Sequence, residues 1–287
     1  MGQVHGLLHL PPAQPSCIKF AVRCQSCLSA TNWRHGITTF VKLVQLYERQ
    51  GYRLRSGLNP DHFSEQEGND LPFTNLYHSG NLDLVCGGGG ISPLEIYFLE
   101  CLLADYRPTR IFSIGNAFGW STLAISMIAP EAKTVCMDAC QDAGYDEGRR
   151  LTNLIAAKEG LNACAVKGTS PRDVKTVVEL EFSGLVDFVF IDGWHTNEQL
   201  LADFLACRRV ASPECVYLFH DVVNNCMFDG FEEALSIAGE LTGTVLMRTT
   251  SGMAIAYPPA MDNTLASVVT AFTQDDSLLV SPPLNAP

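Results

Sequence analysis

Two short clusters of ionisable residues each follow an apolar run in this chain of 287 residues. Asp192 and His195 follow one run, and His220 and Asp221 follow the next. Carboxylate oxygens bind hard divalent cations, and a histidine can take a proton from a substrate hydroxyl near neutral pH. The alternative is that Asp192 and Asp221 cap helices while the histidines bond to backbone groups.

A glycine loop supplies a second kind of chemistry. Gly115 and Gly119 enclose three residues between an apolar run and a segment of helical pattern that begins near Ser121. Glycine lets a ligand lie against bare backbone, and the first turn of a helix offers unpaired N–H groups. The spacing G-x-x-x-G lacks the further glycine or lysine of dinucleotide and phosphate loops. The loop therefore favours a nucleoside-bearing cofactor without a pyrophosphate.

Two further polar positions follow apolar runs. Asp138 stands 23 positions beyond Gly115 (138 − 115), where an acidic residue can accept bonds from ribose hydroxyls. A loop or helix-capping aspartate is the alternative. Ser170 could border an adenine ring, or it could simply cap the helix that Pro171 begins. The predicted cofactor residues are Gly115, Asn116, Ala117, Phe118, Gly119, Ser121, Thr122, Asp138, Ser170 and Asp192.

Alternating strands and helices position these residues. We predict strands at Ile111–Ile114, Thr134–Met137, Ala163–Lys167, Val186–Ile191 and Cys215–Phe219, and helices near 37–50, 93–103, 121–129, 147–159, 171–180, 196–209 and 229–241. Apolar strands that alternate with helices predict an α/β fold with a parallel sheet covered on both faces. Thr244–Arg248 and Met253–Tyr257 predict a terminal antiparallel hairpin. Ser92, Pro93 and Glu95 predict a capped helix start.

The chain divides into three predicted parts. Residues 1–85 form a mainly helical, partly irregular cap, residues 86–258 the cofactor-binding domain, and residues 259–287 a tail. Three residues of the cap are predicted to cover the substrate pocket: Trp33, Tyr77 and His78. The Cys24–Cys27 pair is a lone C-x-x-C, which does not by itself complete a four-ligand zinc site.

Composition limits the partners. A net charge of −12 argues against a nucleic-acid binder. The sequence contains no apolar run of about 18 residues, so no membrane span is predicted. Eleven cysteines scattered through apolar elements are typical of free thiols in a reducing compartment. We therefore predict a cytoplasmic protein that binds neither nucleic acid nor membrane. Self-association into a homo-oligomer is compatible with the sequence.

Over about residues 90–258 the chain resembles the class I S-adenosylmethionine-dependent methyltransferases. The resemblance rests on the G-x-x-x-G loop, on Asp138 and on the terminal hairpin. The segments Ile191–His195 and Phe219–Val222 further resemble motifs of bacterial enzymes that modify sugars, macrolides and cephalosporin-type compounds. They also resemble motifs of the catechol-type O-methyltransferases. The resemblance implies a Rossmann-like, doubly wound sheet of seven strands and S-adenosylmethionine as cofactor.

The resemblance also implies roles for the ionisable clusters. Asp192 and Asp221 would bind Mg²⁺ or another divalent cation, His195 would act as general base, and His220 would be the second choice for that base. The reaction would be O-methylation of a small molecule. Two alternatives are a nucleotide-dependent oxidoreductase on a similar fold and a non-catalytic cofactor-binding protein.

Overall fold

The computed structural model describes residues 38–57, 72–142 and 144–274, all within one compact unit. The Cys24–Cys27 pair and Trp33 lie outside the described residues. The first described elements are α1 (Thr39–Arg49), β1 (Tyr52–Arg55), β2 (Thr74–His78), β3 (Leu84–Gly90) and α2 (Pro93–Asp105). The three strands form an antiparallel sheet in the order β1-β2-β3.

The sequence does not predict this small sheet. The described part of residues 1–85 holds helix α1, strands β1 and β2 and the first two residues of β3, and a mainly helical cap over the whole of residues 1–85 stays a prediction. Periodicity could not show the sheet, since β3 ends in Gly87–Gly90 and glycine is depleted in strands. Packing explains the last of these glycines. A Cβ on Gly90 would lie 2.8 Å from the indole of Trp120 and 2.9 Å from Thr74.

The remaining elements alternate as predicted. They are β4 (Arg110–Ile114), α3 (Trp120–Ile128), β5 (Lys133–Asp138), α4 (Tyr145–Glu159), β6 (Ala163–Lys167), α5 (Val174–Glu181), β7 (Val186–Ile191), α6 (Asn197–Arg208), β8 (Ala211–Phe219), α7 (Phe228–Ala238), β9 (Thr242–Leu246), β10 (Met253–Tyr257) and α8 (Asp262–Phe272). Strands β4 to β10 form one sheet in the order β6-β5-β4-β7-β8-β10-β9. The first five are parallel, and β10 pairs antiparallel with β8 and β9. The predicted Rossmann-like α/β fold with a terminal hairpin is confirmed.

Two apolar layers cover the sheet. Successive residues of β7 alternate between them, with Phe188 and Phe190 on the face covered by α1, α2, α3, α4 and α8. Val189 and Ile191 pack on the other face against α5, α6 and α7. This alternation follows from the two-residue period of a strand. It explains why the parallel strands are apolar throughout, as strands buried on both faces must be.

Some elements differ from prediction for local reasons. Helix α5 begins three residues late, because the Asp173 carboxylate accepts the Thr169 N–H and closes a turn first. Strand β9 begins and ends two residues early, because the Arg248 N–H donates to Phe272 instead of continuing the ladder. Helix α8 lies in the stretch predicted to be a tail, and it contributes Leu265 and Val269 to the core.

Candidate active site

The glycine loop lies where the strand order reverses, between β4 and β7. Chains leaving these neighbouring strands turn opposite ways, which opens a crevice at their carboxyl ends. Gly115 has φ +93°, and a Cβ there would lie 1.8 Å from the carbonyl oxygen of Asp192. The loop can therefore lie against the end of β7 only without a side chain at this position.

Asp138, at the end of β5, holds the loop in place. Its Oδ2 accepts the N–H groups of Asn116 at 2.7 Å and Ala117 at 3.0 Å, while Oδ1 accepts the Cys140 N–H. Ala117 itself has φ +43°, a conformation that these bonds help to maintain. The structure thus shows Asp138 as a loop anchor that also lines the crevice. Its bond to ribose stays a prediction.

The two ionisable clusters meet at the ends of β7 and β8. His220 Nδ1 lies 3.1 Å from Oδ1 of Asp192 and 3.1 Å from Oδ2 of Asp221. His195 Nε2 approaches the same two oxygens, at 3.5 Å and 3.2 Å. Both imidazoles therefore lie close to the same pair of carboxylates, those of Asp192 and Asp221. Adjacent parallel strands produce this convergence, as the sequence predicted.

A third carboxylate, Glu95, supports His220 from the helix side. Glu95 is fully buried, and its Oε2 lies 3.3 Å from His220 Nε2. The same carboxylate accepts a hydrogen bond from the Ser92 N–H, which completes the predicted capping box of α2. It also accepts hydrogen bonds from the N–H and the hydroxyl of Ser251. One buried acid thus joins α2, the strand end at His220 and the turn before β10.

Opposite charges set the titration of this cluster. Burial alone would lower the pKa of His220, but Asp192, Glu95 and Asp221 raise it well above the ordinary value. Burial would likewise lower the pKa of His195, and Asp192 and Asp221 reverse that effect and raise it. Burial would raise the pKa of Asp192, yet the two histidines hold it low. The cluster therefore favours a charged Asp192 beside protonated imidazoles.

These contacts exclude the capping alternative for the aspartates. Thr196 caps α6 through its side chain, which accepts the Gln199 N–H. Met227 precedes α7 as its N-cap residue and makes no side-chain cap bond. Asp221 has φ +59°, a left-handed conformation that is uncommon outside glycine. Strained backbone of this kind concentrates at functional sites.

A crevice of about 420 Å³ joins the loop to the ionisable cluster. This volume falls in the range of small-molecule sites. Of the predicted residues, those that line the crevice are Gly115, Asn116, Ala117, Ser121, Asp138, Ser170, Asp192, His195, His220 and Asp221.

Three predicted cofactor residues lie behind the loop instead of in the crevice wall. Phe118 is buried in the core, and its carbonyl accepts the Tyr47 hydroxyl at 2.7 Å. The Thr122 hydroxyl donates to the Asn116 side chain. Gly119 begins α3 with φ +83° against Thr152. These residues support the loop from the side facing the helices.

Two of the cap residues predicted to cover the acceptor, Tyr77 and His78, lie away from the crevice. Tyr77 pairs with Arg53 in the small sheet and packs under the Arg55 guanidinium. His78 stacks on Tyr52 with ring centres 5.5 Å apart. The small sheet reaches the crevice through Gly88, Gly89 and Gly90. Backbone therefore forms this part of the wall.

Sequence reasoning misses two buried acids. The sequence indicates Glu95 only as a helix cap, and it does not single out Asp203. Both interrupt apolar helical stretches, in Leu94–Leu103 and Leu200–Cys207. A carboxylate at a core-facing helical position requires a partner, which is the signal that could have found them.

The family comparison matches residues 112–222 to a methyltransferase domain. The matched segment begins in β4 and ends directly after Asp221, so it contains the glycine loop, Asp138 and both ionisable clusters. Residues 112–222 of this chain are therefore similar to a methyltransferase domain. The comparison with curated proteins finds no match.

The solved structure of an O-methyltransferase agrees with this match at the level of the fold. The O-methyltransferase TomG from Streptomyces achromogenes, involved in tomaymycin synthesis and solved with SAM, is 15% identical over 78% of this chain and 91% of its own, with a TM-score of 0.51. An O-methyltransferase from Bacillus cereus, solved with SAH, is 19% identical over 59% of this chain and 83% of its own, with a TM-score of 0.49. Among the described residues, no helix is long and apolar enough to cross a membrane.

Proposed function

We propose that this protein transfers the methyl group of S-adenosylmethionine to a hydroxyl oxygen of a small-molecule acceptor. The observation that carries the proposal is one crevice in which a bare-backbone loop and an acid–imidazole cluster face the same space. The methyltransferase domain contains both features. TomG and the Bacillus cereus enzyme, with SAM and SAH respectively, add support for this cofactor.

The proposed reaction is an in-line displacement. The acceptor oxygen forms a bond to the methyl carbon as the carbon–sulfur bond breaks, and S-adenosylhomocysteine leaves with the electron pair on sulfur. The hydroxyl proton passes to Nδ1 of His195, because Nε2 faces the carboxylate oxygens of Asp192 and Asp221. Most of the acceleration in such a reaction comes from aligning two bound reactants.

His195 suits the role of base better than His220. Its side chain is 39% exposed and lies at the crevice, whereas that of His220 is 4% exposed and is held between Glu95 and the aspartates. Of the two histidines, His195 is therefore the one that is open to an acceptor. His220 supports the two aspartates by charge.

The residues present also fit a divalent cation. Asp192, His195 and Asp221 each offer one donor atom, and these atoms lie within 4.8 Å of one another. The two carboxylate oxygens suit a hard divalent ion such as Mg²⁺. Such an ion would lower the pKa of a bound acceptor hydroxyl. Asp192 and Asp221 would hold it, which leaves His195 available as base.

Calorimetry tests the cofactor first. S-adenosylhomocysteine should bind with and without Mg²⁺, and a matched titration with NADH should show no binding. A transfer assay with methyl-labelled S-adenosylmethionine and a panel of hydroxylated acceptors tests turnover, before and after chelation. NADH binding would favour the oxidoreductase. Cofactor binding without transfer to any acceptor would favour the non-catalytic alternative.

A further inference from the structure

Asp203 is a buried acid in the crevice wall that the proposed chemistry does not use. It lies on the inward face of α6, is 1% exposed, and lines the same crevice as the glycine loop and the ionisable cluster. Burial raises the pKa of its carboxyl to about 6. A fold keeps such an unfavourable group where the group has a partner or a task.

The hydrogen bonds of Asp203 use only half of its carboxylate. Ser170 donates its hydroxyl to Oδ1, and Gln199 donates its side-chain amide to the same oxygen at 2.6 Å. Gln199 also donates to the Ser170 carbonyl, so the three residues form a closed group. Among the described residues, Oδ2 receives no hydrogen bond from any side chain or backbone N–H. The group fixes one oxygen and leaves the other available as an acceptor.

The free oxygen lies beside a glycine of the crevice wall. A Cβ built on Gly193 would lie 3.1 Å from Asp203 Oδ2 and 3.1 Å from the Ile114 side chain. Gly193 and Ile114 both line the crevice. A larger residue at position 193 would therefore cover this oxygen, and glycine leaves it open.

The surroundings match the shape and chemistry of a purine. Ile114 and Met137, two apolar residues, line the crevice beside Ser170 and Asp203, as suits the apolar faces of a base. Ser170, Gln199 and Asp203 stand together on one wall for its polar edge. Adenine has an exocyclic amine, a donor that suits a fixed carboxylate oxygen. Hypoxanthine has a carbonyl at this position, which would meet the carboxylate as a second acceptor.

The geometry points to Asp203 as a specificity-determining residue that accepts a hydrogen bond from the exocyclic amine of the cofactor's adenine. This inference rests on the proposed function, because it takes S-adenosylmethionine as the cofactor. Ser170 and Gln199 are positioning residues that fix the carboxylate. The predicted adenine contact of Ser170 thus acts through Asp203.

The test compares two ligands that differ only at this amine. Calorimetry measures the dissociation constants of S-adenosylhomocysteine and of its inosine counterpart, S-inosylhomocysteine. The wild-type protein should favour the adenosine compound by about tenfold or more, the size of a hydrogen bond to a charged group. Asp203→Asn offers a donor as well as an acceptor, so it should bind the two ligands within about threefold of each other.

Glu198→Gln is the matched control, since Glu198 is an exposed acid on the same helix. It should keep the wild-type preference. If Asp203→Asn does not fold, Ser170→Ala replaces it and should reduce the preference by releasing the carboxylate. Equal affinities in the wild-type protein, or an undiminished preference in Asp203→Asn, would overturn the inference. If the wild-type protein binds neither ligand, the proposed function fails as well.

Discussion

At the residue scale, exposure separates two histidines that look alike in the sequence. Both follow an apolar strand and both contact Asp192 and Asp221. His220 lies among three carboxylates and is 4% exposed, whereas the side chain of His195 is 39% exposed. Their roles as support and base therefore depend on access, which only the folded structure determines.

His195→Gln should lower kcat by about a hundredfold or more while changing the affinity for S-adenosylhomocysteine by less than about threefold. The reason is that the imidazole takes the acceptor proton and the glycine loop holds the cofactor. His78→Gln is the control, because His78 is exposed on the small sheet. Undiminished turnover in His195→Gln would show that another group is the base.

The same histidine predicts the pH profile. Because the aspartates raise the pKa of His195, the free base forms only at a pH above the ordinary value of 6.5. We expect kcat/KM to increase with pH and to reach half of its maximum above pH 6.5. The residual activity of His195→Gln should not increase with pH in this way. A half-maximum below pH 6 would contradict the assignment.

Asp203 should make the folded protein less stable at neutral pH. Its pKa rises from 3.8 to about 6 on folding, so the native state binds the extra proton and its stability falls as pH rises across that interval. Asp203→Asn should therefore increase the free energy of unfolding by about 3 kcal/mol at pH 7 and by almost nothing at pH 3.5. Urea unfolding at the two pH values measures this difference. An equal effect at both would point to packing instead of charge.

At the element scale, the turn between β4 and α3 determines whether the crevice exists. Gly115→Ala should cost about 3 kcal/mol or more and abolish binding of S-adenosylhomocysteine, because its methyl group would meet the Asp192 carbonyl at 1.8 Å. Gly160→Ala is a sharp control. Gly160 also has positive φ, at +66°, but a methyl group there would meet nothing within 4 Å, so only about 1 kcal/mol is expected. Similar losses in both variants would show that φ alone matters.

Helix α2 is tied to the strand ends by one side chain. The Glu95 carboxylate contacts four polar groups, and Glu95→Gln replaces one of its two acceptor oxygens with a donor. The substitution also removes a negative charge that compensates the positive charge of His220. We expect a loss of about 3 kcal/mol in unfolding free energy, measured by urea titration. Asp105→Asn, an exposed acid at the far end of α2, should stay within about 0.5 kcal/mol of wild type. An equally small effect at Glu95 would mean that the network contributes little.

At the scale of the whole molecule, the terminal helix α8 belongs to the core. The rings of Phe272 and Phe98 lie 4.9 Å apart in an edge-to-face contact, which joins α8 to α2. Phe272→Ala should lower stability by about 3 kcal/mol, measured by chemical denaturation. Leu180→Ala, at a side chain that is 79% exposed, should change it by less than about 0.5 kcal/mol. A neutral Phe272→Ala would show that α8 packs only weakly.

The sequence alone determined the strand–helix alternation, the glycine loop and the convergence of the two acid–imidazole clusters. These features follow from local periodicity, backbone freedom and the rule that parallel strands end at one edge. The homo-oligomer and the cytoplasmic location stay predictions.

Only the tertiary structure brought Glu95 to His220, directed Asp203 into the crevice and paired the strands of the small sheet. Glu95 and His220 are 125 positions apart, and Ser170 and Asp203 are 33 apart. Contacts of this kind leave no local pattern, because they depend on how separate elements pack. A helix cap and a buried acid therefore acquire their roles at the site only when the chain is folded.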